Sequence, residues 1–165
     1  MTPPETTSTD PTSGHGRFVV VPAAYVFLLR EGSHGTEVLL QLRGEVPFMA
    51  GHWAAAAAGH VEQGETAWQA AEREALEELG ITGVGLEFLT TMQRTQGGEP
   101  IDERVDFFFT ARSWSGEPRI MEARKAADLG WFSLEALPHP VVPHEARVME
   151  MLRRGTQQGY STFGF

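Results

Sequence analysis

The stretch from Phe18 to Leu29 is the feature that most constrains the fold of this chain. It reads FVVVPAAYVFLL, with apolar residues at odd and even positions alike. Because successive side chains of a strand point to opposite faces, such a strand has to be covered on both sides. The segment therefore predicts a central strand between two helical layers, although Pro22 removes one donor from the hydrogen-bond ladder.

The remainder of the chain combines short strands with helical segments. Further strands are predicted at residues 37–43, 86–95, 104–112 and around 130–132, and helices at 65–79, 134–137 and 143–154. In the longest helix Thr66 is placed to act as the cap and Gly80 as the stop. This order predicts an α/β fold, with a mixed β-sheet sandwiched between helices.

The alanine run Ala54–Ala58 and the N-terminal segment need separate interpretations. Alanine is the best helix former, but we interpret the run as extended because of the motif that follows it. Residues 1–16 are rich in Thr, Pro, Ser and Gly and hold too little apolar surface to fold, so they are predicted to be a disordered tail. Residues 17–165 are then expected to form a single domain.

Charge and cysteine content exclude several classes of function. The chain has 22 acidic and 13 basic residues, which give a formal charge of −9. This charge has the wrong sign for binding the phosphate backbone of polymeric nucleic acid. The chain has no Cys, which removes disulfides, thiolate metal sites and thiol nucleophiles. No run approaches the ~20 apolar residues of a membrane span. We therefore expect no membrane partner and a cytoplasmic location.

Three carboxylates share one face of the longest predicted helix. Glu74, Glu77 and Glu78 are spaced i, i+3 and i+4, which brings their side chains together. An ordinary solvated face is one interpretation, but such faces usually carry Lys or Arg at i+4, and Arg73 alone accompanies four glutamates between residues 72 and 78. A hard divalent cation would relieve the repulsion, because Mg²⁺ prefers oxygen ligands.

The surrounding motif resembles the box of a known enzyme family. Gly59, five residues, Glu65, seven residues and then REALEELGI at 73–81 are similar at every defining position to the Nudix box of the Nudix hydrolases. Arg43 at the end of a strand and WSGEPRIME at 114–122 resemble the MutT-like branch. The resemblance implies the Nudix-type α/β/α sandwich. One departure is His60, where the family often has a second glycine.

The resemblance also implies a metal centre. In the family, the equivalents of Glu74 and Glu78 coordinate the metal, helped by Glu77 and by a carbonyl near Gly59. Glu122 lies where the MutT-like branch carries a further metal-associated glutamate. The implied cofactor is Mg²⁺, with Mn²⁺ as an alternative. Glu74 is the first candidate for the general base, and Glu78 and Glu122 remain alternatives.

Two arginines complete the implied site. Arg73 resembles the orienting arginine that holds glutamates of the box, including Glu65, and a simple i,i+4 pair with Glu77 is compatible with that role. Arg43 is a candidate for a contact to the substrate phosphates. Five aromatic residues are candidates for the walls of a nucleobase pocket or for core packing: Tyr25, Phe48, Trp53, Phe107 and Trp131.

The implied function is hydrolysis of a phosphoanhydride in a nucleoside diphosphate linked to another group. The MutT-like features favour nucleoside triphosphates, with ADP-ribose, other nucleotide sugars and dinucleotides as alternatives. The partner is then a small-molecule nucleotide, and a homodimer stays open. An isomerase resembling isopentenyl diphosphate isomerases is disfavoured because that family needs a Cys. A non-catalytic module that senses a nucleotide is the alternative from another class.

Overall fold

The structure of the protein, a computed structural model, describes residues 17–165. The predicted disordered tail, residues 1–16, lies outside the described residues. Within the described range the elements follow in the order β1 (Val21–Gly32), β2 (Gly35–Arg43), β3 (Trp53–Ala55), β4 (Ala57–His60), α1 (Ala67–Leu79), β5 (Leu86–Arg94), a 3₁₀ turn (Pro100–Asp102), β6 (Arg104–Ala111), β7 (Ala126–Ser133), α2 (Pro143–Arg154) and β8 (Tyr160–Phe163).

The strands form one mixed sheet around β1. The main path is β3-β2-β1-β6-β5-β8, while β4 pairs with β1 and β7 pairs with β2. Strand β1 runs parallel to β6 and antiparallel to β2 and β4. Its first half pairs with β4 and its last residues with β2, so this one long strand connects both parts of the sheet.

The two faces of β1 support two separate cores. Val26 and Leu28 belong to a cluster with the alanines of α1, whereas Phe27 and Leu29 belong to a cluster with Val148 of α2. All four β1 side chains are almost completely buried. Helices therefore cover both faces of the sheet, and the predicted α/β/α sandwich is confirmed.

The alanine run is extended, as interpreted from the sequence. Ala55 pairs with Leu40 in β2, and Ala57 pairs with Val26 in β1. Ala54 to Ala57 are buried, and Ala57 packs in the cluster that holds α1. Pairing with β1 and β2 overrides the helical propensity of the alanines here. Their small side chains also let α1 lie close to the sheet.

Helix α1 is defined by its ends. The Thr66 hydroxyl accepts a hydrogen bond from the backbone N–H of Gln69, and the Gln69 side chain accepts one from the N–H of Thr66. This reciprocal capping box satisfies two of the donors that a helix start leaves free. Gly80 ends the helix at φ 68°, a left-handed conformation that suits glycine. The predicted cap and stop are confirmed, but the helix begins at Ala67, so Glu65, included in the predicted helix, lies outside it.

The last third of the chain departs from the prediction in two places. The helix predicted at residues 134–137 is wrong, because the segment forms a turn after β7 and Pro138 follows it. The strand β8 was not predicted, and it pairs parallel to β5 at the edge of the sheet. Neither described helix has the length and apolarity needed to cross a lipid bilayer.

Candidate functional site

Gly59 lies directly against the carboxylate of Glu74. It sits near the end of β4, paired with Ala24 of β1, and the helix face of α1 packs across it. A Cβ at this position would overlap the Glu74 carboxyl group. The absence of a side chain therefore allows the backbone of β4 and this carboxylate to approach each other.

Arg73 joins the glutamates of the box to the loop that precedes them. Its guanidinium donates to both oxygens of Glu65 at 2.8 and 3.1 Å, to Glu74 at 2.6 Å and to Glu77 at 3.1 Å. It also donates to the carbonyl of His60 at 3.0 Å. These bonds raise the pKa of Arg73 and lower the pKa of Glu65. The Glu65 contact and the i,i+4 pair with Glu77 thus coexist, as expected for an orienting arginine.

Glu78 is bound by Gln41, a residue of β2. The Gln41 amide donates to Glu78 at 3.1 Å and to the carbonyl of Ala55 at 3.1 Å. Burial, followed by the negative charge of Glu74, raises the pKa of Glu78 to about 8. Burial also raises the pKa of Glu74, against the lowering effect of Arg73. The carboxylates of Glu74 and Glu78 therefore lie in a buried region where their negative charge is poorly compensated.

Glu122 reaches this region from the loop before β7. The ammonium group of Lys125 contacts both of its carboxylate oxygens, at 2.9 and 3.0 Å. The pKa of Lys125 is raised first by this hydrogen bond and also by the charges of Glu78 and Glu74. The negative charge of Glu122 in turn contributes to the raised pKa of Glu78. Glu122 thus lies near the carboxylates of α1, although they are far apart in sequence.

The carboxylates suit a hard divalent cation by their chemistry. They are all oxygen donors, and burial, followed by the negative charge of Glu74, raises the pKa of Glu78. As they are arranged, no three acidic, His or Cys groups within residues 17–165 converge into a ready cluster. Glu77 is half-exposed and turned toward Arg73. Glu74, Glu78 and Glu122 are the residues of this region that could hold such a cation.

A cavity of about 530 Å³ opens beside the carboxylate of Glu78. Gly59, Glu78 and Lys125 line it on the side of the box, and Arg43 lines it from the end of β2. The Arg43 Nε donates to the carbonyl of Phe48 at 2.8 Å. The volume is that of a site for a small molecule.

The aromatic candidates divide between cavity and core. Tyr25 and Phe48 line the cavity. Trp53 packs edge-on against Phe132, Trp131 stacks on Trp114, and Phe107 packs against the cluster on the α1 face.

Buried polar residues at the floor of the cavity were missed from the sequence. Arg94 donates to Asp106 at 2.8 Å, and Arg104 lies 3.6 Å from the other oxygen of Asp106. His144 lies 3.4 Å from the hydroxyl of Tyr25, and burial followed by the nearby arginines lowers the pKa of His144 to about 2. The sequence carried one signal for these residues. Two charged residues, Arg104 and Asp106, share a face of β6 with the buried Phe108.

Glu145 was also missed. It accepts a hydrogen bond from the backbone N–H of Ala55 and lines the cavity. Burial raises the pKa of Glu145 to about 7. It lies one residue after His144 in the first turn of α2, a position with no charge pattern that marks it in the sequence.

Comparison with known proteins identifies the class. The family model described as NUDIX domain matches residues 20–152. The chain therefore belongs to the Nudix family, in its MutT-like branch, and is a hydrolase that acts on pyrophosphate bonds. A search of curated protein sequences found no match.

Solved structures agree with this class. A MutT Nudix hydrolase from Burkholderia pseudomallei is 29% identical, with a TM-score of 0.71 over 80% of this chain and 97% of its own. The ORF135 protein of E. coli is 26% identical, with a TM-score of 0.66 over 82% and 89%. The Nudix domain of Shewanella oneidensis NrtR, solved with ADP ribose, is 19% identical, with a TM-score of 0.67 over 86% and 92%, and shares the fold.

Proposed function

We propose that this protein is a Mg²⁺-dependent pyrophosphohydrolase of nucleoside triphosphates. The observation that carries the proposal is the position of the cavity, which has Glu78 at one side and also receives Arg43 and Lys125. One carboxylate proposed for the cation, Glu78, and two basic residues suited to phosphate oxygens thus border one space of small-molecule size. The MutT-like features of the sequence favour triphosphates over other nucleotides, and a MutT Nudix hydrolase is among the similar solved structures.

In this proposal each residue of the box has a separate role. Glu74, Glu78 and Glu122 would hold the cation, with Glu77 and the carbonyl near Gly59 in support. A bound divalent cation supplies charge neutralisation for the diphosphate and acidifies a water molecule. Arg73 donates to the Glu74 carboxylate and would orient it as the general base, with Glu78 and Glu122 as alternatives. Mn²⁺ is an alternative to Mg²⁺.

The assay that tests the proposal is a panel of nucleotides with product analysis. Triphosphates should give a monophosphate and pyrophosphate, whereas ADP-ribose would give AMP and ribose 5-phosphate. EDTA should abolish either reaction. A tenfold preference in kcat/KM for ADP-ribose would contradict the substrate assignment, and failure to cleave any member would favour a nucleotide-sensing module.

Glu78→Gln tests the site within the same assay. It keeps the shape of the side chain and removes the charge, so we expect kcat to fall by about 100-fold or more with the fold retained. Glu72→Gln is the matched control, since Glu72 is exposed on the same helix and should be silent. Near-normal turnover of the Glu78 variant would mean that the metal site is misplaced.

A further inference from the structure

His60 connects the Nudix box to an arginine in the wall of the cavity. Its backbone carbonyl accepts from Arg73 at 3.0 Å, and its ring Nε2 lies 3.1 Å from Nη1 of Arg104. Because an arginine only donates, Nε2 is the acceptor, and the ring is neutral with its proton on Nδ1. Both His60 and Arg104 line the cavity. The residue that stands in place of the family's second glycine therefore bonds to a cationic side chain.

The bond between His60 and Arg104 crosses the central strand of the sheet. Strands β4 and β6 flank β1, where Ala23 pairs with His60 on one side and with Asp106 on the other. Arg104 lies on the same face of β6 as Asp106. The side chain of Ala23 is a single methyl group, so it leaves room for the two longer side chains to meet across β1.

Arg104 is held just short of an ion pair with Asp106. Its Nε lies 3.6 Å from Oδ1 of Asp106, and both atoms are buried without a hydrogen-bond partner among residues 17–165. The other oxygen of Asp106 accepts from Arg94, which pairs with Arg104 across β5 and β6. Leaving a buried donor and a buried acceptor unsatisfied is unfavourable. The bond to His60, at the other end of the guanidinium, opposes closure of this gap.

The guanidinium of Arg104 suits a phosphate group by its chemistry and by its position. It has no hydrogen bond to a carboxylate among residues 17–165, and its planar fork matches the oxygens of a phosphate. Because His60 directly follows Gly59, the guanidinium lies at the end of the cavity where the box meets it. That end is also lined by Glu78 and Lys125.

We propose that Arg104 binds a phosphate group of the nucleotide and that His60 is the positioning residue that keeps it available. Without the ring of His60, the guanidinium would close on Asp106 and withdraw from the ligand. The inference rests on the proposed function in one respect, namely that the ligand carries phosphates. It adds a third basic residue to Arg43 and Lys125 at the cavity.

His60→Ala distinguishes this role from a merely structural one, because two measurements should change in opposite directions. Loss of the ring lets Nε of Arg104 pair with Oδ1 of Asp106, so the Tm should rise by about 2–4 °C. Binding of inorganic pyrophosphate, titrated by calorimetry in millimolar Mg²⁺, should weaken at least about tenfold, the effect of one lost charge-assisted hydrogen bond. A histidine that only stabilised the end of β4 would instead lower the Tm when removed.

Three further variants complete the test. His60→Gln keeps an acceptor near the position of Nε2 and should retain the affinity and the Tm of wild type. Arg104→Met should lose as much pyrophosphate affinity as His60→Ala, and adding His60→Ala to it should cost nothing more. A direct contact between His60 and pyrophosphate would persist in that background. His34→Ala, which removes an exposed histidine of the turn between β1 and β2, is the matched control and should bind as wild type does.

Each outcome decides the inference. Weaker binding by His60→Ala, with a Tm no lower than that of wild type and with rescue by His60→Gln, supports it even if Arg104→Met does not fold. A lowered Tm in His60→Ala, unchanged affinity, loss that His60→Gln does not restore, additive losses, or no binding of pyrophosphate by wild type overturns it. The supporting pattern in a protein that cleaves no nucleotide would retain the inference and refute the proposed function. Nucleotide cleavage with unchanged affinity in His60→Ala would do the opposite.

Discussion

The contact between Gly59 and Glu74 makes Gly59→Ala a direct test of how the box is assembled. A methyl group at this position would occupy the space of the Glu74 carboxyl group. Glu74 is 9% exposed and its carboxyl group is bound by Arg73, so the carboxyl group cannot swing freely into solvent. Either the carboxylate leaves its place or β4 moves away from the helix. Both changes disturb the candidate metal site.

The size of the effect follows from overpacking of a rigid contact. Inserting one methyl group into such a contact costs about 1–3 kcal/mol, and 2 kcal/mol lowers the Tm of a domain of this size by about 4–8 °C. Displacing the carboxylate by about 1 Å should lower kcat/KM by about 100-fold. Differential scanning calorimetry and the nucleotide assay measure the two effects. Gly159→Ala is the control, because a Cβ there meets no atom within 4 Å.

A double-mutant cycle identifies the cause of the loss. If the methyl group clashes with the Glu74 carboxylate, Gly59→Ala should cost much less stability in a Glu74→Ala background. The same loss in both backgrounds would show that the strain lies in the backbone of β4. Wild-type stability and activity in Gly59→Ala itself would refute the close approach altogether.

Three further changes test other parts of the site. Arg73→Lys replaces a planar fork with a point charge, so kcat/KM should fall at least about tenfold in steady-state kinetics; unchanged kinetics would refute the orienting role. Asp106→Asn leaves the buried Arg94 without its counter-ion and should cost about 3–5 kcal/mol in urea unfolding, whereas a neutral result would mean that the pair is dispensable. The pKa of Glu145 is raised from 4.5 to about 7 in the folded state, so its burial destabilises the protein progressively as pH rises from about 4.5 through 7. The free energy of unfolding of Glu145→Gln should therefore exceed that of wild type by up to about 3 kcal/mol at pH 8 and by almost nothing at pH 4.5. A difference that does not change with pH would contradict the raised pKa of Glu145.

Some of the site could be predicted because its residues are neighbours on one element. The spacing of Arg73, Glu74 and Glu78 follows from helical geometry alone, and the flanking Thr66 and Gly80 define that helix by local capping. These features survive in any tertiary context. The same holds for β1, whose uninterrupted apolar sequence requires cover on both faces.

Other parts of the site depend on long-range pairing. Gln41 becomes a partner of Glu78 because β2 pairs with β3 beside α1, and neither residue's local sequence signals the contact. Glu145 enters the cavity because α2 packs on the opposite face of the sheet. Its single bond to Ala55 links segments 90 positions apart.

The sequence by itself therefore determined the class of fold, the helix with its carboxylates, and the membership implied by the box. The tertiary structure decided which carboxylates meet, what holds each of them, and what forms the remainder of the cavity. The physical reason is range: capping and helical periodicity act within a few residues, whereas burial and charge compensation depend on segments that only the folded sheet brings together.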